Sequence, residues 1–68
     1  MPRPHNHDII VVQHDRAVVI ARFLNGECRP IERVTTLEDG EVRARLLAAE
    51  ERGDAWVRVA ANVFRLLP

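Results

Sequence analysis

A two-residue turn at Asn25-Gly26 is the feature that most constrains the fold of this chain. The turn separates two apolar runs in the stretch "RAVVIARFLNGECRPIERV", residues 16–34. Asn and Gly both tolerate the positive φ that a type I′ hairpin turn requires. The stretch therefore predicts two antiparallel strands, at about residues 16–24 and 27–35.

The turn also predicts the strand register, because each step away from it pairs one residue of each strand. Pro30 has no N–H to donate, which predicts that the strand containing it lies at an edge of the sheet. The predicted pairs are Leu24 with Glu27, Phe23 with Cys28, Arg22 with Arg29, Ala21 with Pro30, Ile20 with Ile31, Val19 with Glu32, Val18 with Arg33 and Ala17 with Val34.

Alternation along the paired strands sorts the side chains onto two faces. We expect the helix to pack across the face that carries two alanines, because small residues leave room for close approach. That face consists of Ala17, Val19, Ala21, Phe23, Cys28, Pro30 and Val34, interrupted by Glu32. The other face carries Arg16, Arg22, Arg29 and Arg33 around Val18, Ile20, Leu24 and Ile31.

Two interpretations of the arginine-bearing face remain open. Arg22 and Arg29 oppose each other, and like charges in that arrangement destabilise a strand pair. Glu27 or Glu32 can offset the repulsion within the chain, or a partner's carboxylates or phosphates can do so in a complex. The face is then either solvated, with arginine stems covering apolar surface, or a protein-binding patch with an aliphatic centre.

Three further strands follow from the remaining apolar runs. Residues 8–13 are β-branched and consecutively apolar, which favours a central strand covered on both faces. The end of the chain predicts strands at about residues 55–59 and 63–67 with a turn at residues 60–62, and one long bulged strand is the alternative.

The segment between the two strand regions predicts one helix. Thr35 and Glu38 form a capping-box pattern, and Gly53 suits the C′ position. Because Gly40 weakens the first turn, the regular helix is expected to begin at Asp39 or Glu41. At 100° per residue, the predicted core stripe is Val42, Leu46, Ala49 and Gly53. A second apolar stripe, Leu37, Ala44, Leu47 and Ala48, either meets a partner or reflects the helix propensity of alanine.

These elements predict an α+β fold: a small antiparallel β-sheet of three strands, one helix packed on one face, and a C-terminal strand or hairpin, in the order βββαβ(β). Residues 1–7 are expected to form a mobile N-terminal arm, and residues 8–68 a single α+β domain. A chain of 68 residues buries only about 60% of the surface that its unfolded form exposes, so its stability is marginal and self-association as a homodimer is a further expectation.

Catalysis and metal binding are not predicted. His5, His7 and His14 are of the residue type that binds zinc, but their spacing matches no common structural site. Cys28 with a histidine resembles a nucleophile and base, yet the register places this thiol inward, where an inert core cysteine is expected. No glycine-rich phosphate loop or spaced carboxylate pair is present, so neither a cofactor nor an enzymatic activity is expected.

Composition bears on the cellular location of the protein and on the kind of partner it can bind. Ten arginines balance ten acidic residues, so the general electrostatic attraction to nucleic acid is missing. A single cysteine, no secretory signal and no apolar run long enough to span a bilayer predict a cytoplasmic protein without membrane contact. Trp56 and Arg58 share a strand face and can anchor an interface, although one tryptophan argues weakly for nucleic-acid stacking.

The order strand, strand, Asn-Gly turn, strand, acidic-capped alanine-rich helix and final hairpin ending "NVFRLLP" resembles small phage-encoded inhibitors. In particular, it is similar to some anti-CRISPR proteins that block type I effector complexes. The resemblance is one of size and element order over nearly the whole chain. It implies an inhibitor that binds protein, since the neutral charge departs from acidic DNA mimics.

The sequence therefore predicts a non-enzymatic module that binds a protein or ribonucleoprotein complex, with a mobile-element-encoded inhibitor as its specific form. The alternative is a small nucleic-acid-binding regulator that uses the arginine-bearing face. The predicted partner-binding residues are Arg16, Arg22, Arg29, Arg33, Ile20, Ile31, Trp56 and Arg58.

Overall fold

Five strands and one helix follow one another in the computed structural model, which describes residues 2–68. The elements are β1 (Ile9–His14), β2 (Ala17–Leu24), β3 (Glu27–Val34), α1 (Leu37–Glu50), β4 (Ala55–Ala60) and β5 (Val63–Leu66). The strands form one mixed sheet in the order β3-β2-β1-β4-β5. The α+β class with a single helix is confirmed, and the sheet contains five strands where three plus a terminal strand or hairpin were predicted.

β1 lies at the centre of the sheet, as its run of consecutive apolar residues predicts. The side chains of Ile9, Ile10 and Val11 are completely buried. β1 pairs antiparallel with β2 and parallel with β4. The parallel pairing is not predicted from the sequence; it arises because α1 serves as the crossover that returns the chain to the starting end of β1. β4 and β5 then form an antiparallel hairpin.

The hairpin between β2 and β3 follows the predicted register only as far as Pro30. Asn25 and Gly26 both have positive φ, 52° and 82°, and the four pairs nearest the turn are as predicted. A β-bulge at Ile31 then shifts the register by one residue, because a proline cannot donate to the ladder. The four outer predicted pairs are therefore wrong, and the observed pairs are Ile20 with Glu32, Val19 with Arg33 and Val18 with Val34.

The register places different side chains on the two faces of the sheet. The helix face, which α1 covers, carries Ile9, Val11, Val18, Ile20, Ala55 and Val57. The open face, on the other side, carries Ile10, Val12, Val19, Ala21, Phe23, Trp56 and Arg58. The prediction that the helix covers the Ala17 and Ala21 face is wrong, since α1 packs on the opposite face through small residues of its own.

Close packing of α1 on the sheet depends on Gly40, Ala44 and Ala48, which are buried at intervals of one helical turn. A Cβ atom on Gly40 would lie 2.9 Å from Cγ1 of Val18, so the helix approaches the sheet as closely as a glycine permits. Val42 and Leu46 are 52% and 55% exposed. The predicted core stripe is therefore wrong. The contact side of α1 is the second predicted stripe, in which Ala44 and Ala48 are buried and Leu37 and Leu47 pack against the core.

The start of α1 also differs from the prediction. The helix begins at Leu37, before the expected start at Asp39 or Glu41. Thr36, and not Thr35, caps it, because the Asp39 N–H donates to the Thr36 Oγ1 over 3.1 Å.

At the end of α1, the left-handed residue is Arg52, with φ of 57°. The Gly53 N–H donates to the Ala48 carbonyl oxygen over 2.9 Å, which closes the helix as a Schellman motif. The predicted C′ position of Gly53 is therefore wrong by one residue. Gly53 lies instead where a Cβ atom would come within 2.9 Å of the Asp8 Oδ1, so a larger residue would displace that carboxylate.

Asp8 is a buried carboxylate that accepts three hydrogen bonds. The Asp54 N–H donates to Oδ1 over 3.0 Å, and the His5 N–H and the Trp56 indole N–H each donate to Oδ2 over 2.9 Å. Burial raises the pKa of Asp8, but the hydrogen bonds from Asp54, His5 and Trp56 outweigh it and hold the pKa below its ordinary value. Asp8 thus joins the chain before β1 to the start of β4.

The segment before β1 also contacts the β2–β3 hairpin. The His7 N–H donates to the Phe23 carbonyl oxygen over 2.7 Å, and the Asn25 N–H donates to the Asn6 Oδ1 over 2.9 Å. Pro4 is buried. Mobility of the 1–7 arm stays a prediction, and its first residue, Met1, lies outside the described residues.

The sheet curls toward its open face. The ring centroids of Phe23 in β2 and Phe64 in β5 are 5.8 Å apart in an edge-to-face arrangement. In a flat sheet these strands would lie about 14 Å apart, because β1 and β4 stand between them at about 4.8 Å per strand. The curvature encloses a second small core of Ile10, Ala21, Phe23 and Trp56.

Candidate functional site

The open face is filled at one end and accessible at the other. The Phe23–Phe64 ring pair and the buried Trp56 close the filled end. Beyond them is a cleft of about 290 Å³ lined by Val12, His14, Val19, Ala21, Cys28, Pro30 and Arg58, which we call the groove. Val12 and Val19 are only partly buried. Aliphatic side chains therefore form a floor that solvent reaches.

Two arginines flank this floor in one row across four strands. The pairing runs from Arg33 in β3 to Val19 in β2, Val12 in β1 and Arg58 in β4. Both arginines are exposed, and no carboxylate of residues 2–68 lies within 4.0 Å of either guanidinium. The bulge at Ile31 is what turns Arg33 to this face, since the unshifted register would place it with Val18 under the helix.

A second cleft shares His14 with the groove. It measures about 660 Å³ and is lined by His14, Asp15, Arg16, Ala17, Arg33, Val34 and Thr35; we call it the basic cleft. Asp15 is the acidic residue in its lining and lies 3.7 Å from the His14 ring. The groove and the basic cleft together present Arg58, Arg33 and Arg16 along one connected surface.

Cys28 contributes an uncharged wall to the groove. Burial raises the pKa of its thiol, and the nearby positive charge of Arg58 opposes only part of that rise. The thiol is therefore protonated near neutral pH and behaves as a small apolar group. Nucleophilic chemistry by Cys28 has no support from this environment.

Comparisons with protein-family models, with curated proteins and with solved structures find no match to this chain. The site must therefore be judged from its own geometry. In the described part of the chain, no group of three or more His, Cys, Asp or Glu side chains is placed to hold a metal ion. The single described helix is too short and too polar to cross a membrane.

The structure brings together three of the predicted partner-binding residues, Arg16, Arg33 and Arg58, and separates them from the rest. Arg22 is on the helix face, where its Nη2 donates to the Glu51 Oε2 over 2.7 Å. Arg29 opposes Arg22 as predicted. The single arginine-bearing face proposed from the sequence is therefore wrong, because the bulge reverses the faces beyond Pro30.

Two of the three apolar residues of the predicted patch, Ile20 and Trp56, are not available to a partner in this structure. Ile20 is completely buried beneath α1, and Trp56 is 3% exposed with its indole N–H bonded to Asp8. Ile31 is the bulge residue and is 43% exposed.

Sequence reasoning missed the floor of the groove. It assigned Val19 to the covered face and did not consider Val12 as a site residue. The available signal was Pro30, because a proline inside a strand indicates an edge or a bulge, and a bulge reverses the residues that follow. The curl of the sheet, which fills one end of the open face and does not cover the floor, brings together Phe23 and Phe64 of distant strands and has no local signal.

Proposed function

We propose that this protein is a non-enzymatic binding module that captures a partner protein in the groove. The observation that carries the proposal is the partly buried aliphatic floor of Val12 and Val19, flanked by Arg33 and Arg58. Protein interfaces combine an apolar centre with a polar rim in which arginine is enriched. An unpaired guanidinium beside an apolar floor suits a partner's carboxylate, which it can bind at two points.

A nucleic-acid-binding regulator is the second candidate, favoured by the three arginines that line the two clefts, Arg16 and Arg33 in the basic cleft and Arg58 in the groove. Single-stranded nucleic acid is usually held by bases stacked on accessible aromatic rings. Trp56 and Phe23 are 3% and 7% exposed, and Phe64 packs on Phe23. These rings pack in the second core and are not accessible for stacking on bases. This supports a protein partner over a nucleic acid.

Inhibition of a host protein or ribonucleoprotein complex, as in the anti-CRISPR proteins that the chain resembles, is the specific form of this proposal. Its support is the small size and the order of elements. The single cysteine supports a cytoplasmic location for this activity, because the chain does not depend on a disulfide.

The proposal is tested by charge reversal with a matched control. Tagged wild-type protein, the double variant Arg33→Glu/Arg58→Glu and the control Arg3→Glu/Arg65→Glu are used to capture proteins from native host extract. All four arginines are exposed, and the two variants carry the same net charge. We expect a partner that wild type and control retain and that the groove variant loses.

Retention of the same partner by the groove variant would contradict the proposal. Direct titration separates the second candidate. Fluorescence anisotropy with a labelled 20-base RNA and a 20-base-pair DNA is followed from low to physiological salt, because phosphate neutralisation gives affinity a steep dependence on salt. Tight binding that falls steeply with salt and requires Arg33 and Arg58 would replace the protein-binding proposal with the nucleic-acid one.

A further inference from the structure

The groove also has features that define the chemistry of its occupant. Its two flanking cations, Arg33 and Arg58, have no carboxylate partner within 4.0 Å among residues 2–68. Between them lies an aliphatic floor with no charged group in the row. A complementary ligand therefore needs negative charge at both ends and an aliphatic group in the middle.

The spacing of the cations sets the spacing of the negative charges. Arg33 and Arg58 stand on strands that are three steps apart in the sheet, which is about 14 Å or less once the sheet curls. An extended peptide advances about 3.3 Å per residue. Because alternate side chains of an extended peptide point to opposite sides, two carboxylates four residues apart, a span of about 13 Å, would reach the two guanidiniums at once.

The walls of the groove favour an aliphatic centre over a charged one. Cys28 is a protonated thiol and Pro30 is apolar, so neither offers a charge to a ligand. Ala21 adds a small apolar side chain to the lining where the groove meets the second core. A branched aliphatic side chain suits this apolar lining.

We propose that the groove binds an extended acidic segment of a partner protein, with an Asp or Glu at each end of a short aliphatic centre. The outer carboxylates pair with Arg33 and Arg58 in two-point hydrogen bonds, and the aliphatic side chain covers Val12 and Val19. Where the segment continues past Arg33, further acidic residues meet Arg16 in the basic cleft. This inference rests on the proposed function and names the partner's chemistry.

Selection from a random octapeptide phage library provides the test. The library is selected on immobilised wild-type protein and, in parallel, on Arg33→Gln/Arg58→Gln and on the control Arg3→Gln/Arg65→Gln. We expect wild type and control to enrich peptides with Asp or Glu on both sides of Val, Ile, Leu or Met. Synthetic versions of these peptides should bind the groove variant at least tenfold more weakly by isothermal titration calorimetry.

Thermal melts of the three proteins confirm that each is folded before selection. Two results would overturn the inference. One is that the peptides enriched on wild type lack paired acidic residues, and the other is that the groove variant enriches the same peptides as wild type. Displacement of the enriched peptide by a 20-base RNA at equal concentration would overturn it in favour of nucleic acid. If acidic peptides fail but the charge-reversal variant still loses its host partner, the binding-module function stands and only the ligand chemistry is wrong.

Discussion

The two faces of the sheet are both apolar, yet only one is fully covered. On the helix face, Gly40, Ala44 and Ala48 let α1 lie directly on Val18 and Val11. On the open face, the sheet covers itself by curling, and this closes only the end where Phe23 meets Phe64. The comparison shows that a chain of this size can complete one core with a helix and leave part of the other face accessible for recognition.

The filled end of the open face depends on Asp8, and its loss should have the largest effect on stability. Asp8→Asn leaves one acceptor oxygen for three donors and turns an amide N–H₂ toward one of them. We expect the free energy of unfolding to fall by about 3 kcal/mol, measured by urea titration near neutral pH. A loss below about 1 kcal/mol would show that the carboxylate does not hold this end together.

The difference in unfolding free energy between wild type and Asp8→Asn should depend on pH, and the pKa of Asp8 predicts the direction. The folded pKa of Asp8 lies below its ordinary value of 3.8, so the ionised carboxylate stabilises the fold above about pH 4. This contribution is lost as the pH falls through the folded pKa. The stability advantage of wild type over Asp8→Asn should therefore be constant near neutral pH and shrink in acid. An advantage that grows on acidification would be the opposite result.

The helix face should tolerate no added volume. Ala44 is completely buried against the sheet, so Ala44→Leu must push α1 away or strain its neighbours, at a cost of about 2 kcal/mol in free energy of unfolding. Ala49 is exposed on the same helix, and Ala49→Leu is the matched control, with an expected change below about 0.5 kcal/mol. Equal losses of stability for the two variants in thermal melts would mean that Ala44 does not lie against the sheet while Ala49 faces solvent.

Arg52 gives an expected stabilisation. Its left-handed φ of 57° is unfavourable for a residue with a side chain, so Arg52→Gly should raise the free energy of unfolding by about 1 kcal/mol. Arg52→Gln keeps the same strain and should change little. A destabilised Arg52→Gly would indicate that the arginine side chain makes a contribution larger than its backbone strain.

The smallest effect is expected where two arginines oppose each other. Arg29 faces Arg22 across the hairpin, but the ion pair between Arg22 and Glu51 already offsets part of the repulsion. Arg29→Gln should raise the free energy of unfolding by about 0.3 kcal/mol, detected as a slightly higher midpoint in a thermal melt. A clear loss of stability would mean that Arg29 makes a contact that the register does not explain.

Local patterns in the sequence predicted the elements well. The Asn25-Gly26 turn, the edge position of β3 and the central position of β1 all follow from short stretches whose residues act on their own backbone. The terminal hairpin follows for the same reason, with Asn62 at a positive φ of 60°.

Two of the errors arose from contacts between residues far apart in the chain, and one arose from a bulge beside Pro30. The helix stripe was reversed because hydrophobicity favours Val42 and Leu46, while the fit to the sheet favours glycine and alanine. Arg33 was placed on the wrong face because the bulge at Ile31 was not anticipated. Trp56 was predicted to contact a partner, and its hydrogen bond to Asp8 was not anticipated because the two residues are far apart in the chain.

Amide chemical-shift mapping tests most directly whether the open face is the binding surface. Uniformly ¹⁵N-labelled wild-type protein is titrated with the captured partner or, where it is too large, with the partner's bound segment. We predict that the largest shifts fall on residues of the groove, including Val12, Val19 and Arg58. Shifts concentrated instead on Val42 and Leu46 of α1 would contradict the account and assign recognition to the exposed side of the helix.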